Sequence, residues 1–182
     1  MTAVVGGEGN AVGEHTLVDA DIFSRLLDLG SVSVAFGRAS FDAAAVSGDG
    51  LLFAAADTFA AVAGADFVLI FTDESLMGVL EEGAVSAAES STTRYVAIDF
   101  EDFDLLGGPL VIDYHDIERS HGRDCSCECG AGLNVQLDGN VAQLNVDALA
   151  NAETTLVDVS SSILTVEDQL SSVTAVVVTA AA

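Results

Sequence analysis

The sequence predicts an α+β protein: a small β-rich N-terminal domain followed by a long C-terminal helix forming an oligomeric coiled coil. Three observations predict it. Residues 141–182 contain neither Gly nor Pro. Apolar or small residues recur there at Leu149, Ala152, Leu156, Val159, Ile163, Val166, Leu170, Val173 and Val177, in steps alternating between three and four, which is heptad spacing. Upstream, short runs such as Val32, Val34, Phe36 and Val96, Ile98, Phe100 alternate with polar or small residues, as half-buried strands do.

Taken in order, residues 1–14 carry Gly6, Gly7, Gly9 and Gly13 but lack the glycine spacing and Lys-Ser/Thr ending of a phosphate loop. They read as a flexible or docking arm. Residues 15–117 read as the β-rich globular domain. Within it, 19–29 reads as a short helix, capped by Asp19, with Ile22, Leu26 and Leu29 on one face and Gly30 as its stop. Strands follow at 31–36, 51–53 and 66–72, the last nearly all apolar and expected to be buried on both faces. Ser47-Gly48-Asp49-Gly50 is a turn, and the Ala-rich run 54–63 fits helix or strand. A short helix is expected at 75–82, a loop at 84–93, and strands at 94–100 and 110–114 on either side of the Gly107-Gly108-Pro109 turn. Residues 118–140 form a Cys-rich neck. In it Leu133, Val135 and Leu137 alternate, and the Asp138-Gly139 turn allows a hairpin with 141–146.

Residues 141–182 complete the plan as the coiled-coil helix, a rod of roughly 58 Å. So narrow a seam cannot bury itself. Leu or Ile fills four of its five a positions, while Val159, Val166 and Val173 sit at d. Branched residues at d favour three or four strands, so a homotrimer is expected, with a tetramer possible. The alternative is one amphipathic helix lying across its own domain.

The chain of 182 residues has 29 acidic residues and five basic ones, all arginine, for a net charge of -24. Yet 51% of its residues are hydrophobic, which excludes a disordered acidic tail. Such a charge repels itself in dilute buffer and is screened in brine, where the Debye length is about 3 Å at 1 M. It disfavours nucleic acid, which needs a basic footprint, and anionic membrane surfaces. No secretion signal is read, and no apolar run is long enough to span a bilayer.

The local chemistry lies in His115, His121, Cys125, Cys127 and Cys129. Thiolates and imidazoles are zinc ligands, and three Cys with one His can close a tetrahedral site. Single-residue spacing is unusual for zinc but puts three thiols on one face of an extended segment. A metal site, interchain disulfides and unligated thiols all remain open. The acidic pairs Asp102/Asp104 and Glu81/Glu82 read as solvated surface, and no serine sits in a nucleophile elbow. A non-enzymatic protein is expected.

An acidic, lysine-free chain with a β-rich head, a Cys-rich neck and a terminal coil resembles structural proteins of haloarchaeal viruses, of the trimeric fibre, spike or capsid-decoration type. The resemblance implies a virion location, other virion proteins as partners, and a place as a base, collar or spike stem. Two alternatives stand beside it. One is a β-barrel capsid subunit whose C-terminal run forms strands; the other is a small halophilic cytosolic enzyme using the His/Cys cluster.

Overall fold

The computed structural model describes residues 1–48, 50–81, 84–100, 110–121 and 139–181. Every regular element among them is a strand. In order they are β1 (Thr2–Val12), β2 (His15–Asp28), β3 (Val32–Ser47), β4 (Phe53–Ala63), β5 (Phe67–Glu81), β6 (Ala84–Phe100), β7 (Leu110–His121), β8 (Asn140–Asn151), β9 (Thr155–Val166) and β10 (Leu170–Ala181). They build a four-stranded sheet in the order β4-β1-β10-β9 and a six-stranded sheet in the order β7-β5-β6-β3-β2-β8. Pairing is antiparallel except where β8 runs parallel to β2 and β7 parallel to β5. The sheets face each other, with β4 over β6, β1 over β3, β10 over β2 and β9 over β8. The larger sheet runs on past β4, so β5 and β7 form a shelf.

The α+β expectation, with its C-terminal coiled coil, is therefore overturned: the described chain is an all-β sandwich. The run 141–182 folds as β8, β9 and β10, joined by turns at 152–154 and 167–169. Glycine is not needed at the second turn because Asp168 itself takes the left-handed conformation (φ 55°), which aspartate tolerates better than most residues. β10 has a period of two: Ser171, Val173, Ala175, Val177 and Thr179 are buried and their neighbours are not. On β9 apolar residues occupy both faces, which hid that period and left a chance heptad spacing.

The other differences have related causes. Ile22 and Leu26, four apart, share a face in a strand as well as in a helix, and the expected helix at 19–29 lies mostly within β2. The expected helix at 75–82 lies in β5, and the expected loop at 84–93 opens β6, whose Ala, Ser and Thr are strand residues chosen for a thin interior. The run 66–72 buries one face only: Val68, Ile70 and Thr72 point inward while Phe71 is exposed. Residues expected to be an arm form β1, hydrogen-bonded between β4 and β10.

The glycines of β1 follow from what faces them. A Cβ at Gly7 would fall on the Asp57 carbonyl oxygen and 2.9 Å from the Phe41 ring. Phe41 and Tyr95 are the largest fully buried side chains, and alanines and small polar residues make up much of the remaining core. Hydroxyls tie sheet to sheet: Thr16 donates to Ser171 at 2.7 Å, Ser24 meets Thr179 at 3.0 Å, and Thr58 meets Ser91 at 2.7 Å and Thr93 at 2.8 Å. Within the larger sheet Ser24 also meets Tyr95 at 2.7 Å. Each of these hydroxyls thus has a partner, as a dry interior requires.

Candidate functional site

The two sheets end together at β8 and β9. Among the described residues both are edge strands, 12 residues long, and each leaves one row of backbone donors and acceptors without a neighbouring described strand. On β9, Leu156, Val157, Val159, Ile163 and Leu164 keep 42–56% of their surface exposed. From the ladder with β10, Val157, Val159 and Ile163 lie on the inner face and Leu156 and Leu164 on the outer. Beneath them Leu144 and Val146 of β8 are only partly covered by the core. The open side of the sandwich is therefore apolar across its full thickness.

That edge is held in shape. The Asn140 amide donates to the Val166 carbonyl at 3.0 Å, and its oxygen accepts from the Asp168 N–H at 3.2 Å, clamping β8 to the β9–β10 turn. Asn145 donates to Asp21 at 3.1 Å and Arg25 reaches Asp147 at 3.3 Å, so β8 is pinned along its length to β2. It is also poor in charge: β8 carries only Asp147 and β9 only Asp158, in a chain of 29 acidic residues. By contrast, β7 at the far edge carries Asp113, Asp116, Glu118 and Arg119. Charges of that kind protect an edge strand from pairing, and β9 has one.

A second feature lies on the outer face of the larger sheet. Arg25, Arg38 and Arg94, three of the five arginines, stand there, and Arg38 and Arg94 line a groove of about 510 Å³ with Phe23, Phe36 and Val96. Arg38 holds Asp21, Arg94 holds Asp73 at 2.9 Å, and Arg25 also stacks 5.0 Å from the centre of the Phe23 ring. Each guanidinium is thus matched by a carboxylate. Exposed pairs of this sort contribute little stability, but they keep Arg38 and Arg94 apart where the ladder sets them opposite each other.

Of the expected metal ligands, His115 lies on β7, its Nε2 3.2 Å from Glu74 Oε1 on β5, and His121 is the last residue of β7, opposite Gly78. Cys125, Cys127 and Cys129 lie outside the described residues. Among the described residues no three His, Cys, Asp or Glu side chains gather as a metal site. Among them, too, no helix is long and apolar enough to cross a membrane.

Two carboxylates sit above their ordinary pKa. Partial desolvation, then Asp42 directly across the ladder, raise Asp19; desolvation, then Glu74 and Asp57, raise Glu89 against a hydrogen bond from the Ala56 backbone. Such groups take up protons more readily folded than unfolded. Their contribution is fully present below the unfolded carboxylate pKa and is lost as pH rises through the folded value. Stability in dilute buffer is expected to rise as pH falls from 7 towards the ordinary carboxylate range. Asp42→Asn should stabilise at pH 7 by roughly a few tenths of a kcal/mol, the scale of an exposed like-charge pair, and by less at pH 4. Urea midpoints at the two pH values check this.

No protein-family profile matches the chain, and no curated protein matches it. The class that the geometry of the described residues defines is a β-sandwich of ten described strands with a charge-poor edge at β8 and β9. Sequence reading singled out Leu156, Val159 and Ile163 of that edge but placed them on a helical seam. The usable signal was the scarcity of charge in residues 140–166 of so acidic a chain.

Proposed function

We propose that this chain is a non-enzymatic structural subunit of a haloarchaeal virus particle, one that assembles edge to edge with copies of itself. The observation that carries the reading is the β8–β9 edge, apolar on both faces of β9 and almost free of charge. An edge strand of that kind is a template for another strand, and a protein that persists with it needs it occupied. Composition supplies the setting. Each copy brings a net charge of -24, so association depends on screening by concentrated salt. Of the readings open at the level of sequence, the capsid-type subunit is the one that expected strands in the C-terminal run.

Light scattering of the full chain tests the reading. In molar potassium chloride a defined oligomer is expected, and dilution into low salt should dissociate it. A monomer at every salt and protein concentration would overturn the proposal.

A further inference from the structure

We infer that the occupant of the open edge is a second copy of the same chain, with β9 pairing antiparallel to β9 of its partner about a two-fold axis at Ser160. The inference rests on the self-assembly reading and adds the strand pairing, its symmetry and its register.

A two-fold axis perpendicular to the sheets makes the two edge strands antiparallel, and facing residues then lie on the same side. Residue numbers that face each other must sum to an even number. Centring on Ser160 sets Leu156 against the partner's Leu164 on the outer face and Val157 against the partner's Ile163 on the inner face. Thr155 meets the partner's Thr165, and Asp158 meets the partner's Ser162, so no carboxylate faces another. Each match occurs twice by symmetry. Moving the centre one residue, to Ser161, keeps apolar matches at Leu156 with the partner's Val166 and Val159 with the partner's Ile163 but sets the Asp158 carboxylate against the partner's Leu164.

The dimension fits as well. A strand of 12 residues is about 40 Å long, and two sheets about 10 Å apart, with their side chains, present an edge about 20 Å high. The product, about 800 Å² per partner, is the size of a standard stable interface. The other free edges suit pairing less. A strand laid beside β4 would lie over the β5–β7 shelf with Glu74, Glu89, Asp113 and His115, and β7 itself is rich in charge. At β8–β9 one approach continues the smaller sheet through β9 and brings β8 and its partner copy together beneath it.

Site-directed cross-linking tests the register. Residues directly opposite in an antiparallel pair have Cα atoms about 4.5–5.5 Å apart, within disulfide range. In a chain whose Cys125, Cys127 and Cys129 are replaced by serine, Ser160→Cys should oxidise to a covalent dimer in molar salt. Ser162→Cys, two places off the axis, should lag well behind. Leu164→Glu, on the exposed outer face, should raise the dimer dissociation constant about tenfold or more with an unchanged circular dichroism spectrum. An oligomer that survives Leu164→Glu and does not cross-link through Ser160→Cys would overturn this register and leave self-assembly standing. A monomer under all conditions would overturn both.

Discussion

A chain ending at residue 169 is expected not to fold. β10 runs between β1 and β9, hydrogen-bonded along its length to both, and Val173, Ala175 and Val177 are completely buried. Burial of the two valines contributes about 1.5–3 kcal/mol each. Thr16 would lose Ser171, and a buried hydroxyl left without a partner costs about 1–3 kcal/mol, whereas Ser24 would lose Thr179 but keep Tyr95. Those terms alone reach about 4–9 kcal/mol, comparable with the net stability of an ordinary domain, before two ladders of backbone bonds are counted. The first residue makes the same point: the Met1 ammonium donates to the Ala181 carbonyl at 2.9 Å, so the sandwich is closed by its last strand. Far-ultraviolet circular dichroism and limited proteolysis in molar salt check this. A truncated chain that still unfolds cooperatively would show that β10 is dispensable. A head-and-rod protein would behave that way, and this sandwich should not.

Phe41→Ala is expected to destabilise the full chain by about 3–5 kcal/mol, the range for emptying a large buried aromatic site. Phe41 has no exposed surface, and its ring fills the space that Gly7 and Gly9 leave on β1. Neighbours have little freedom to collapse into the void. The facing elements are backbone and short side chains rather than long flexible ones, and hydroxyl pairs such as Thr58–Ser91 hold the sheets at a set separation. Phe59→Ala is the control. Phe59 lies against Gly6 on the outer face and is 45% exposed, so its loss should cost about 1 kcal/mol or less. Denaturant midpoints for the two variants, compared at one salt concentration, give the difference. Equal effects would mean that Phe41 is not the element on which the interior packs.

How much of this was legible depended on the strand. In 31–36 and 94–100 alternation was plain, and strands were expected where β3 and β6 now run, but the alternating Val34, Phe36, Val96 and Phe100 lie on the outer face and Ala35, Tyr95 and Ala97 face the core. Where the residues were small, as in 54–63 and 84–93, hydropathy hardly alternates, because Ala, Ser and Thr sit on both faces; the thin interior demands small groups and erases the signal that would announce it. In residues 19–29, apolar positions four apart satisfied helix and strand alike. For the candidate edge the difficulty was different. β9 is apolar on both faces, with Val157, Val159 and Ile163 toward an incompletely closed interior and Leu156 and Leu164 exposed on the outer face, and that doubling mimicked a heptad.

By itself the sequence determined the charge regime: 29 acidic residues against five arginines, a net charge of -24 whatever the fold. It also determined that residues 141–182 carry apolar surface in need of cover. Only the tertiary structure decided what covers it. Pairing of β10 with β1 joins residues some 170 positions apart, as Thr2 with Ala180, and no local pattern encodes a partner at that distance. The conformation of the C-terminal run was settled by which backbone groups could be satisfied across the sheet, and local periodicity gave way to that demand.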